Sequence, residues 1–244
     1  MTFKYVPAAL LALTVAFSSC DKNDTESTPA LRTKMDASTL TATSKYTESF
    51  KDASGQSTVD LTTSNQRLDM FSELNSYMAL VAVAAPATPA TLDVAKLNGL
   101  YANTGGFFTG AGLNASGLSL RATTAVSFSG TNAELERRYI DQKLAQLATA
   151  SQSVNNVATP GSAGRLGRFL VDGNGIEVNQ VIAKALIGAL LLDQIDNVLL
   201  TDNALKANNS KVVEGKAYSE LEHNWDLAYG FLTANAIKAK FSIQ

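Results

Sequence analysis

Residues 173–200 constrain the fold more than any other stretch of the chain. A glycine turn, Gly173-Asn174-Gly175, leads into a segment in which every residue from 185 to 192 is apolar or glycine. A helix that is hydrophobic nearly all round has no face to give to water, so it belongs among other helices. A bilayer-spanning helix requires about 20 predominantly apolar residues, and each ionised group near its centre costs about 2.5–3.5 kcal/mol. Lys184, Asp193 and Asp196, together with Gln194, interrupt the run, so the pattern predicts the core helix of a soluble domain.

Segments able to surround that helix follow from hydrophobic spacing. Residues 65–84 place Leu68, Phe71, Leu74 and Met78 three and four apart behind Asn65 as cap, with Pro86 and Pro89 as the stop. Residues 91–101 repeat the pattern with Leu92, Leu97 and Leu100 behind Thr91. Thr131-Asn132-Ala133-Glu134 reads as a capping box opening a helix to Ser151, with Leu135, Tyr139, Leu144 and Leu147 on one face. Residues 159–164, rich in glycine and proline, end it in a loop carrying Arg165 and Arg168 as solvated charges. The glycine-rich residues 105–117 form a loop whose Phe107 and Phe108 tuck against the core. No strand precedes them and no Gly-Lys-Ser/Thr follows, so a phosphate loop is not implied. Residues 46–50 and 58–61 flank Asp52-Ala53-Ser54-Gly55 as two short strands of a hairpin. The expected fold is mainly α: a helical bundle with a short N-terminal β-hairpin, forming one domain over residues 45–244.

The N-terminus points to export. Lys4, an apolar run over residues 6–17 and Ser18-Ser19-Cys20 match a signal peptide of residues 1–19. Cys20 is the one cysteine of the chain, and its place after two small residues looks like a bacterial lipobox, with Phe17 a departure from the usual aliphatic residue. Cys20 is therefore the expected lipidation site, anchoring the protein to a membrane of the bacterial cell envelope, with the outer membrane or cell surface as the expected location. Residues 20–44 are Ser-, Thr- and Asp-rich and read as a flexible tether. A net charge of -2, with no Lys/Arg cluster, supplies no basic face for nucleic acid.

One constellation can carry chemistry. Residues 214–232 hold the sole histidine and sole tryptophan, and on a helix His223 and Asp226 lie three apart, Glu222 and Asp226 four apart. Imidazole with carboxylates is a ligand set for a divalent metal, and Glu177 is the candidate further ligand if the two helices pack. Trp225 is the candidate ligand-binding aromatic. The structural alternative holds His223 and Trp225 as half-buried packing residues with Glu222 and Asp226 solvated. Three functions stay open: a binding domain for a small molecule, metal or protein partner; a metal-dependent hydrolase; and a structural protein with no site. No catalytic residue is assigned.

Gly175-Ile176-Glu177-Val178-Asn179-Gln180, Lys184-Ala185-Leu186-Ile187-Gly188-Ala189-Leu190, Glu214-Gly215-Lys216-Ala217-Tyr218 and Glu222-His223-Asn224-Trp225-Asp226 together resemble a Bacteroidota lipoprotein family known as domain of unknown function 4856. Arg67-Leu68-Asp69-Met70 and Leu113-Asn114-Ala115-Ser116 fit it too. The resemblance implies a mostly helical, exported, lipid-anchored protein and no known activity. The family pattern carries Tyr where Val178 stands and a second carboxylate where Leu227 stands, so a family ligand set using them is incomplete here. Family members run on past the His-x-Trp-Asp motif through further helices, so the resemblance implies that this chain, ending at Gln244, lacks a C-terminal part.

Overall fold

A computed structural model describes residues 37–42, 44–82 and 88–233. The expected signal peptide, Cys20 and most of the tether lie outside these residues, as do Pro86 and the C-terminal residues 234–244. Among the described residues there are seven α-helices and one two-stranded sheet: α1 (Tyr46–Ser49), α2 (Thr62–Met78), α3 (Val94–Ala102), α4 (Leu120–Thr123), α5 (Gly130–Ser151), β1 (Gly164–Leu166), β2 (Phe169–Val171), α6 (Val178–Leu186) and α7 (Glu220–Thr233). The fold is mainly α, as expected.

The central stretch is the rod of the domain. From α6 the chain continues without a break through a π-helical segment, Ile187–Leu192, and a second, Ile195–Leu199. The whole unit, Val178–Leu199, is 22 residues long and is long and apolar enough to cross a membrane by length and composition alone. Half of it is instead buried inside the domain, where Ile182, Leu186 and Leu190 are fully enclosed. Its α6 part packs on α5 and α2, and its last turns pack on α7. The first π-segment has a tertiary cause. The Ala189 carbonyl accepts the Ala125 N–H at 2.7 Å, drawing a mid-helix oxygen toward a neighbouring loop, and such a diversion favours the wider π turn.

Helix α2 buries all four expected residues, Leu68, Phe71, Leu74 and Met78. It starts one turn before Asn65, because the Asp60 carboxylate accepts the Thr62 N–H at 2.9 Å and organises the first turn from outside the helix. Helix α3 is capped by Asp93, which accepts the Ala95 N–H, rather than by Thr91; Leu92, Leu97 and Leu100 are buried as expected. Phe108 is buried in the glycine-rich loop, and Glu73 pins that loop by accepting the Thr109 and Gly110 N–H groups at 2.8 Å.

Further expectations are corrected. The face of α5 was misplaced: Leu144 and Leu147 are buried, but Leu135 and Tyr139 are 58% and 42% exposed. Nine residues at about 100° each put Leu135 on the far side of the helix from Leu144. The buried face uses Ala133, Ile140, Leu144, Leu147 and Ser151. Glu134 does not close a capping box with Thr131; it takes the Arg121 guanidinium at 2.7 Å instead. The hairpin is not N-terminal. Residues 46–49 are helical, and only the bridge between Lys51 and Ser57 survives around the predicted turn. The two-stranded sheet lies after α5, where β1 and β2 pair antiparallel through a turn in which Gly167 takes φ 62. A loop was expected there. Arg168 is exposed over the Phe169 ring, 4.9 Å from its centroid.

Candidate functional site

Helix α7 organises the site. Ser219 precedes it, and its Oγ accepts the Glu222 N–H at 3.2 Å while the Glu222 carboxylate accepts the Ser219 N–H at 2.6 Å. This reciprocal pair satisfies two amides that the first helical turn leaves without partners. Glu222, a metal candidate from its position, therefore also caps its own helix. His223 lies flat on Tyr218, with ring centroids 4.2 Å apart and planes 6° from parallel. Its Nδ1 is buried without a hydrogen-bond partner. Burial lowers the imidazole pKa, Asp60 opposing the shift and Lys216 adding to it.

Asp226 is 3% exposed and ties three segments together. One carboxylate oxygen accepts the Tyr46 hydroxyl at 2.9 Å and the other the Asp60 N–H at 2.8 Å. Burial, only partly offset by these hydrogen bonds and reinforced by the charges of Glu222 and Asp60, pushes its pKa up to about 6. Burial and the Asp226 charge also raise the Tyr46 phenol above its usual range, which keeps it a donor.

Between α1, α7 and the end of the rod lies a cleft of about 550 Å³. Tyr46, Phe50, Trp225 and Tyr229 supply its aromatic wall, and Ile195 and Leu200 close it from the rod. Tyr46 stacks on Tyr229 at 3.8 Å, joining the N-terminal segment to α7. Trp225 is 50% exposed at the edge. The polar groups at the cleft are few, with Glu222 and Asp226 foremost among them. Its size and its mostly apolar lining with a few convergent polar groups are those of small-molecule sites.

The structure thus gathers Glu222, Asp226 and Trp225 at one cleft. Glu177 is not among them. It sits at the N-cap of α6, whereas α7 packs on the opposite end of the rod, and 22 residues of rod at 1.5 Å each span about 33 Å. Burial raises the Glu177 pKa, with Asn179 and Arg168 opposing. Among the described residues no group of three or more His, Cys, Asp or Glu side chains is placed to hold a metal ion. Sequence reasoning missed Tyr46, Phe50, Asp60 and Tyr229. For Tyr229 a signal existed: Leu221, Trp225 and Tyr229 recur every four residues and form one stripe of α7.

The raised Asp226 pKa has a testable sign. Below the ordinary carboxyl value, near 4, folded and unfolded chains both hold the proton. Between there and about 6 the unfolded chain releases it first, so this group's contribution to stability falls as pH rises. Urea midpoints of Asp226→Asn, read against the parent from pH 4 to pH 7, should show the variant gaining relative stability with pH. A difference that stays flat with pH would show an ordinary carboxyl.

No curated protein and no solved structure matches the chain. A family model described as Domain of unknown function (DUF4856) matches residues 34–243.

Proposed function

The chain belongs to the DUF4856 family, whose function is unknown, and from that premise we propose that it is a bacterial envelope lipoprotein, anchored through Cys20, whose C-terminal cleft binds a small apolar molecule. The observation that carries the binding reading is the cleft of about 550 Å³, walled by four aromatic residues with two carboxylates at its polar side. Buried apolar walls drive association, and the few polar groups orient what binds. The lipoprotein reading rests on the apolar run that ends in Ser18-Ser19-Cys20. Turnover has less support. His223 is stacked on Tyr218 with its Nδ1 unpartnered, and Glu177, the third ligand a metal-dependent hydrolase would recruit, sits at the far end of the rod.

Trp225 is the one tryptophan of the chain and lines the cleft, so its emission reports occupancy without a label. Titrating the full chain with octanol is expected to give a saturable blue shift as the half-exposed indole loses water. An emission spectrum unmoved by octanol and by its charged octyl homologues would reject the binding reading. For the anchor, Cys20→Ser is expected to release the protein from the membrane fraction; retention there would reject lipidation at that residue.

A further inference from the structure

We infer that Arg67 and Gln194 form a second binding site, for a small monocarboxylate that supplies the negative charge and the hydrogen-bond acceptors missing around them. Neither residue lines the cleft, so the site is independent of whatever the cleft binds. Arg67 rises from the second turn of α2, and Gln194 lies in the rod between its two π-helical segments. With Phe231 of α7 beneath the guanidinium, the site sits where α2, the rod and α7 meet.

A guanidinium carries five N–H donors and no acceptor. One donor of Arg67 is used, Nη1 reaching the Gln194 Oε1 at the long distance of 3.4 Å. Nε is buried without a partner. The guanidinium carbon lies 5.9 Å from the centroid of the Phe231 ring, at the outer limit of a cation–π contact, and such a contact does not neutralise the charge. Among the described residues no carboxylate does so either: burial alone lowers the Arg67 pKa, with no acidic group opposing it. Arginine stays ionised all the same, so a full charge is kept in a poorly solvated place, which is unfavourable until it is paired. Gln194 adds to the same deficit. Because the guanidinium can only donate, the amide must turn its oxygen toward Arg67. Its Nε2, on a residue 5% exposed, is then left buried without an acceptor. Every unfilled position is a donor, and the missing group is therefore an acceptor carrying negative charge.

Charge also selects the class of anion. One cation is balanced by one negative charge, whereas a phosphate or sulfate dianion would bring an excess charge into a partly buried place. The edge formed by Nε and the neighbouring Nη matches the two oxygens of a carboxylate in parallel hydrogen bonds. Arg67 is only partly buried, so a small carboxylate can reach it from solvent.

Thermal unfolding of the full chain in sodium acetate, chloride or sulfate at equal ionic strength gives the first readout, since a ligand of the native state raises its midpoint. Acetate is expected to raise the midpoint saturably, by about 5–10 °C at a hundredfold excess over Kd, and the other two salts by less. Arg67→Met replaces the charge with an apolar side chain; it should melt at or above the parent in chloride and lose the acetate response. Arg168→Met, at the exposed arginine over Phe169, should keep that response. In nitrogen-15 spectra the Arg67 Nε–H signal, identified by its absence from Arg67→Met, should move as acetate is added. Equal responses to the three salts, or an acetate response that persists in Arg67→Met, overturn the site by reducing it to a general salt effect. A midpoint and an Nε–H signal that acetate leaves unmoved overturn it too. Arg67→Met as stable as the parent would then mean that water satisfies these donors, and a much less stable Arg67→Met that a carboxylate of the chain itself pairs with Arg67.

Discussion

Replacing Gly230 with alanine is expected to destabilise the protein by about 2–3 kcal/mol, because α7 and α2 approach too closely there to admit a methyl group. A Cβ built at Gly230 would lie 2.0 Å from the Ser64 Oγ and 2.8 Å from the Ser64 Cβ. The hydroxyl can rotate away, but the Ser64 Cβ is fixed to the α2 backbone, and Ser64 is fully buried. The helices must therefore separate, loosening Phe231 from the core on one side and carrying Tyr229 and Asp226 away from Tyr46 on the other. Urea unfolding measures the loss, and octanol affinity, read at Trp225, should weaken in the same variant. Ser64→Gly removes both contacted atoms, so adding it to Gly230→Ala should cost less than adding it to the parent; the double-mutant cycle isolates the contact. Stability within about 0.5 kcal/mol of the parent for Gly230→Ala alone would mean that the two helices can separate without penalty.

That contact also shows where sequence reasoning stops. The core rod, the inward face of α2 and the buried leucines of α3 were legible because each is a property of one helix, repeated every three or four residues. The inward face of α5 was not. Leu135 and Tyr139 make as good an apolar pair as those that are buried, and the positions of α6, α3 and β2 decide which side turns in. Nor did anything local announce β1 and β2, whose three-residue strands are too short to show alternation. In the site, Glu222, Trp225 and Asp226 were legible as neighbours on α7. Ser219-Glu220-Leu221-Glu222 is itself a capping signal in the sequence, and it marks where α7 begins. Glu177 joins them only if the start of α6 packs on α7, and α7 packs instead on the last turns of the rod. Tyr46 meets Asp226 across 180 residues of chain, a relation no spacing encodes.

The π-helical interruption of the rod was equally silent in sequence, and its stability depends on one side chain. Asp193 is 6% exposed, and its carboxylate accepts the Ser127 N–H at 3.2 Å, the Ser127 hydroxyl and the Asn197 amide at 3.0 Å. These bonds hold the loop in which Ala125 adopts φ 53, a left-handed conformation that disfavours a residue with a Cβ by about 1–2 kcal/mol. Ala125 in turn supplies the N–H that draws out the Ala189 carbonyl. Asp193→Ala should therefore cost about 2–3 kcal/mol, since hydrogen bonds to a charged group contribute about 1.5–3 kcal/mol each and water recovers part of the loss at the exposed Ser127. Asp196→Ala, three residues on and exposed, should change stability by less than about 0.5 kcal/mol. Hydrogen exchange distinguishes a local from a general effect: in Asp193→Ala the Ala125 amide should lose protection before the amides of α2 and α3. Uniform loss across all helices would instead mean that Asp193 supports the core as a whole, and that the loop and the π turn are bystanders to it.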